Sequence, residues 1–189
     1  MYKPGAERLY EMLARNHRLA VEIDGERFPL ESLELLQEFQ LERIATTFAD
    51  LVAEKSSRPA VNFFLSELYG GFDFRERDQD MGKVMPLMVR FLPDRALMTM
   101  SEAFELQAIS LEFDMGMAEY IDRMRYGQLD MARYCEVYRA SDDRRGRERQ
   151  ILLIRKLGYD LEKLVRKPFV SALARLMRGP AHAAGFGKL

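Results

Sequence analysis

The chain has no tryptophan, one cysteine and two histidines in 189 residues, and each scarcity removes a class of chemistry. Cys135 has no partner for an internal disulfide, so a reducing cytoplasm is the expected compartment. Its setting, MARYCEVY, holds no histidine, so the thiol reads as a small buried hydrophobe and not as a nucleophile. His17 and His182 stand in no Glu-x-x-His pair, which removes a di-iron bundle. The patterns G-x-S-x-G, G-x-G-x-x-G and G-x-x-x-x-G-K-[ST] are absent, and with them the nucleophile elbow and the phosphate-cradling loops. No apolar run nears the roughly 20 residues that span a bilayer. The start, MYKPGAERLYEM, lacks the apolar stretch of a signal peptide. No repeat, low-complexity tract or linker interrupts the chain.

What remains is 48% apolar and 31% charged residues, the mix of a soluble globular chain, with seven prolines and twelve glycines that suit helices. The length suits one domain with a full core. A net charge of −1 hides an asymmetry: residues 1–121 carry 13 Lys/Arg against 22 Asp/Glu, and residues 122–189 carry 16 against 8. Two readings follow. The halves pack on each other, basic helices beside acidic ones, or the basic part forms a face for nucleic acid or anionic lipid. Interleaved acids and the lack of a nucleic-acid motif disfavour the second.

Helical signals dominate the pattern. Residues 7–19 suit a short helix, and VEIDGERF, with Asp24-Gly25 between Val21, Ile23 and Phe28, suits either a small hairpin or a loop over 20–29. Glu31–Glu54 has no Gly or Pro and repeats Leu33, Leu41, Ile44, Phe48 and Leu51 at helical spacing. Lys55–Arg58 is a polar break, Pro59 opens a helix that Gly70-Gly71 ends, and another begins near Asp73 and is kinked by Pro86. Helices are also expected over Asp130–Ala140 and Arg147–Lys167, with SDDRRG (141–146) as loop or cap between them. Leu153, Leu157, Leu161, Leu164 and Val165 are core candidates of the latter. Pro168 starts a last helix and Gly179-Pro180 stops it.

Pro93-Asp94 opens the longest uninterrupted segment, to about Tyr126. At 100° per residue, Phe104, Ala108, Leu111, Met115 and Ala118 form one apolar stripe. Leu106, Ile109, Phe113, Met117, Tyr120 and Met124 form another, opposite. Two opposed stripes require neighbours on both sides, so this is the central helix. Glu105, Glu112 and Glu119 repeat every seven residues between the stripes, and Asp114 lies on the other flank. Met81, Met85, Met88, Met115 and Met117 read as core gap-fillers. The expected fold is all-α: one multi-helix bundle around residues 93–126, with residues 1–30 as an N-terminal extension, 31–178 as the helical core and 179–189 as a tail.

FFLSELYG (63–70), DFRERD (73–78), Pro86, Leu92-Pro93, Glu105-Leu106, Asp114 and MRGPAHAAGFG (177–187) together resemble the signature of an uncharacterised bacterial family, a domain of unknown function. The resemblance spans roughly residues 31–189. It implies an all-helical domain and no assigned activity. Members of that family continue past the Gly-Leu step with a further helix, whereas this chain stops at Lys188-Leu189, so the resemblance implies an open apolar groove there or a shortened member.

Three groups of residues could carry function. Tyr69, Asp73, Arg77 and Asp78, with Glu105 and Asp114 from the central helix, form a candidate pocket in which Arg77 would grip a carboxylate or phosphate. The alternative is a helix corner: Asp73 caps the next helix and pairs with Arg77 four residues on, over Phe63, Phe64 and Phe74. Glu105, Glu112 or Asp114 could bind Mg²⁺ through oxygen alone, but ion pairs with Arg90, Arg123 or Arg125 explain them equally, and no metal or other cofactor is expected. In the tail, Arg178, Gly179, Pro180, Ala184 and Gly185 offer small residues and a cation where a partner could dock, or a packing corner. The leading expectation is a non-catalytic helical binding or interaction protein whose partner is a protein or small molecule, with a homodimer open. The alternatives are an enzyme, hydrolytic or metal-assisted, in the Tyr/Arg/Asp/Glu pocket, and a weak nucleic-acid binder through Arg144, Arg145, Arg147 and Arg149.

Overall fold

The computed structural model describes residues 2–55, 85–86, 88–141 and 143–165. The expected helices over 59–69 and near 73, and the last one after Pro168, lie outside them. Six helices have both ends among the described residues: α1 (Pro4–Ile23), α2 (Leu30–Thr47), α3 (Ala49–Ala53), α4 (Asp94–Met124), α5 (Met131–Ala140) and α6 (Arg144–Val165); residues 85–86 and 88–91 are helical as well, the end of the helix expected to run past Pro86. No described residue is in a strand.

Local chemistry sets the boundaries. Pro4 begins α1, where its missing N–H would have had no helical partner. Leu9, Met12, Asn16, Leu19 and Ala20 recur at three- and four-residue steps and are buried along one face. The helix therefore extends through Val21 to Ile23, and Asp24-Gly25 opens a loop, the second of the two forms expected for residues 20–29. Phe48, at φ −112° and ψ 31°, breaks the next helical stretch into α2 and α3. Pro93 holds an extended ψ of 149° ahead of α4, and Arg125 ends α4 in the left-handed region at φ 54°. Asp130 caps α5 by accepting the Arg133 N–H at 2.8 Å. Asp143 accepts the Gly146 N–H at 2.9 Å, so the capping reading of 141–146 holds at Asp143 and α6 starts three residues before the expected Arg147.

The central helix is α4. Ala108, Leu111 and Met115 pack with Leu19 of α1. Met117 and Ile121 pack with Leu36 of α2 and with Tyr134 and Val137 of α5. Ile109 and Phe113 pack with Leu153 of α6. Both stripes thus face neighbours, except that Met124, at the end of the second, is 44% exposed. Met85, Met88, Met115 and Met117 are buried, as gap-filling methionines should be.

The closest approach is between α1 and α4. The Gly5 N–H donates to Asp94 Oδ1 at 2.7 Å, and a Cβ at Gly5 would stand 2.5 Å from the Asp94 carbonyl oxygen and 2.8 Å from the Met98 nitrogen. Lys3 Nζ donates to the carbonyls of Val89 and Leu92 at 2.5 and 2.9 Å, covering oxygens that a helix end leaves open. Further along, buried Asn16 donates from Nδ2 to the Met12 and Phe104 carbonyls at 2.8 and 2.9 Å. α1 lies within the stretch read as an N-terminal extension and packs along the central helix.

Gly5→Ala should lower stability by roughly 1–3 kcal/mol, because helix preference for alanine is outweighed by overpacking. Gly116→Ala, where nothing stands within 4 Å of the new methyl, should raise it by up to about 1 kcal/mol. Thermal unfolding of the two variants beside the parent chain checks both signs.

Candidate functional site

Of the residues proposed from sequence as a pocket, Glu105 and Asp114 are described. Tyr69, Asp73, Arg77 and Asp78, and the docking candidates Arg178, Gly179, Pro180, Ala184 and Gly185, lie outside the described residues.

Glu105 is 6% exposed and is gripped from two helices. Arg149 of α6 donates from Nε at 2.9 Å and Nη2 at 3.0 Å, one bond to each carboxylate oxygen, and Arg8 of α1 adds a third at 3.0 Å. Burial pushes this carboxyl up, but the bonds and charges of Arg149 and Arg8 more than offset it and hold the group below its usual range. The ion-pair partners are not Arg90, Arg123 or Arg125. Arg90 and Arg123 stack over the neighbouring rings of Phe91 and Tyr120, at 5.4 and 5.3 Å, and Arg125 is exposed in the cap. Seven residues on, Glu112 takes a bidentate grip from Arg15 at 2.9 and 2.6 Å, and Glu119 faces solvent.

Asp114 lies on the other flank in a different environment. Gln40 Nε2 donates to its Oδ1 at 3.0 Å. Burial dominates and pushes its pKa up to about 6, against the lowering effects of the Gln40 bond and the Arg147 charge. Arg147 itself is held between aromatic rings, 3.7 Å from the Phe113 centroid and 4.3 Å from that of Tyr138. Its buried Nε has no hydrogen-bond partner. Tyr134 stacks on Phe39 at 5.1 Å with Arg43 over its ring, and burial raises its phenol. The result is a filled polar and aromatic seam joining α2, α4, α5 and α6.

A cleft of about 380 Å³ opens between α1, α4 and the start of α6, lined by Arg15, Ile109, Glu112, Phe113, Asp143, Gly146 and Arg149. Its charged groups are already engaged: Arg15 with Glu112, Arg149 with Glu105, Asp143 with the Gly146 N–H. Among the described residues no group of three or more His, Cys, Asp or Glu could hold a metal ion. No described helix is long and apolar enough to cross a membrane.

The four arginines weighed as a nucleic-acid face point different ways. Arg149 binds Glu105, Arg147 is sandwiched, Arg144 pairs with Glu148 at 2.9 Å, and Arg145 is exposed. Cys135 is half-buried. Sequence reasoning missed the outer face of α6, where Ile151, Leu152, Ile154 and Tyr159 are 56, 57, 54 and 59% exposed. The signal was there in QILLIRKLGY, which holds more apolar residues than one buried stripe needs.

An all-helical domain whose central carboxylates serve internal contacts is the class that these features define. The chain belongs to the family described as Domain of unknown function (DUF8198), whose model matches residues 24–189. No curated protein and no solved structure matches the chain. The family match takes in α2–α6, while α1 precedes it.

The two carboxylates should give opposite pH signatures. Asp114 has a raised folded-state pKa, so its contribution is fully present below about pH 4 and is lost as pH rises through about 6. Asp114→Asn keeps the acceptor for Gln40 and should gain on the order of 1–3 kcal/mol at pH 7.5, the gain vanishing below about pH 4. Glu105, with a lowered pKa, contributes above its unfolded value and loses that contribution as pH falls. Glu105→Gln should cost roughly 1–2 kcal/mol at neutral pH, since Arg8 and Arg149 are exposed enough to turn to water. Urea unfolding across pH 4–8 separates the two.

Proposed function

We propose that this chain is a non-catalytic helical binding protein that presents the outer face of α6 to a macromolecular partner. One observation carries the reading: Ile151, Leu152, Ile154 and Tyr159 expose more than half their area within nine residues. Scattered exposed apolar residues are ordinary, but a set on one helix marks an interaction surface. Exposed Arg145, Arg155 and Lys163 border them, giving the polar rim that binding faces carry.

The enzyme reading needs an accessible carboxylate, and of its four candidates Glu105 and Asp114 are among the described residues. Glu105 has both oxygens bonded to arginines, and Asp114 sits in a seam packed with Phe39, Phe113, Tyr134 and Tyr138. Neither offers the concave, converging polar site that catalysis requires. The nucleic-acid reading keeps exposed Arg145, and Arg144 beside Glu148, but loses Arg147 and Arg149 to internal contacts.

A photo-crosslinking residue at position 151 or 154 should yield discrete products in cells, and one at exposed Glu22 should not. Ile154→Asp should weaken that partner's binding by roughly 10- to 100-fold, the effect of a charge placed in an apolar contact, with helical content unchanged. Absence of products at both α6 positions, or equal products at Glu22, overturns the reading.

A further inference from the structure

Resting on that reading of α6, we infer that its partner is a second copy of this chain, with α6 of one protomer seated on α2 of the other. The complement of α6 is carried by the molecule itself. Glu31, Glu34, Glu38 and Glu42 form an exposed row along α2 and make no ion pair with a described residue. At 100° per residue they fall within about 80° of arc, one ridge. Leu30 and Phe48 stand beside that ridge, each about half exposed, so it is an acidic and apolar face. The outward face of α6 is basic and apolar.

The spacings match as well as the signs. Glu31 and Glu42 are eleven residues apart, and so are Arg144 and Arg155. Either pair therefore spans roughly 16 Å of helix. Lys163 extends the basic row beyond Arg155, with its ammonium 3.9 Å from the Tyr159 ring centroid. Among the residues of this face whose side chains are described, Glu148 is the one acid, and it is held by Arg144.

The placement of the helices makes the pairing reciprocal. α5 bridges α2 and α6: Tyr134 stacks on Phe39 of α2, and Tyr138 stacks on Arg147 of α6. Gln40 of α2 and Arg147 of α6 also converge on the same Asp114. Acidic and basic helices thus flank one side of the molecule, with α5 between them exposing Met131 and Tyr138. A two-fold axis beside α5 sets α2 against the other protomer's α6 twice, the self-complementary contact that a closed dimer needs. The apolar residues supply attraction, and the charges fix register and exclude the parallel self-pairing of α2 on α2 or α6 on α6.

Sedimentation of the full chain from about 1 to 100 μM, around the micromolar range of modest interfaces, tests this directly. The wild-type chain is expected to move from monomer to twice its 22.0 kDa mass, with the dimer weakened by added salt. Glu34→Lys with Glu42→Lys, and separately Arg145→Glu with Arg155→Glu, should each weaken self-association by at least about tenfold, as like charges then face each other. An equimolar mixture of the two reversed variants should regain the dimer, because both contacts of the mixed pair are again complementary. All four positions are exposed, and circular dichroism verifies that each variant remains helical. A wild-type chain that stays monomeric throughout overturns the inference, as does a mixture of folded variants that fails to pair. If the chain is monomeric yet positions 151 and 154 crosslink another protein, the second copy is wrong and the binding role of α6 stands. If it is monomeric and nothing crosslinks, both fall.

Discussion

A 31-residue helix walled by neighbours on opposite sides has room for charge only along the seams between them. The rest of the molecule follows from that constraint on α4. Glu105 lies in the seam between α1 and α6 and is matched there by an arginine from each. Glu112 is matched by α1 alone, and Glu102 by Lys156 of α6 at 2.5 Å. These contacts orient the two flanking helices against the central one, which apolar packing alone would leave free to slide by a turn. Replacing such pairs by hydrophobes can cost little in stability, so register is the role that best accounts for their presence in this bundle.

The charge asymmetry of the chain has a related origin. The acidic first part supplies α4, and the basic second part supplies α6, which lies across it. Part of the asymmetry is therefore consumed in the α4–α6 seam through Arg149 and Lys156. What is left over is not random. Glu31, Glu34, Glu38 and Glu42 are strung along the open side of α2, and Arg145, Arg155 and Lys163 stand along the open side of α6. Unmatched charge of opposite sign thus collects on two helices that share α5 as a neighbour.

The architecture was legible because it is written in periodicity. Two opposed stripes on one long segment can be met only by burial on both sides, and Pro93 marks its start without ambiguity. The extent of α1 was less legible: Val21, Ile23 and Phe28 around Asp24-Gly25 read as alternation, yet the burial of Leu19 and Ala20 carries the helix on to Ile23. The partners of Glu105 were not legible. Arg8 is 97 residues away and Arg149 is 44, while of the arginines nearer in sequence Arg90 and Arg123 lie over the rings of Phe91 and Tyr120 and Arg125 is exposed. Asp114 was singled out as a position but not for its chemistry, since its raised pKa comes from burial that only the folded packing produces. Arg147 was weighed as part of a basic surface because a guanidinium between Phe113 and Tyr138 has no signature in a linear pattern.

The seam between α1 and α4 also bears on how this chain comes into being. Lys3, Gly5 and Asn16 bond to groups 86 to 89 positions further along, so during synthesis α1 emerges well before α4 and cannot make these contacts until that length of chain has followed it. At typical translation speeds that interval is on the order of ten seconds. Through it, the side of α1 bearing Leu9, Met12 and Leu19 stays wet, and closure across so long an intervening stretch is intrinsically slow. During that interval the apolar side of α1 is open to premature association, a surface that a holding chaperone would shield.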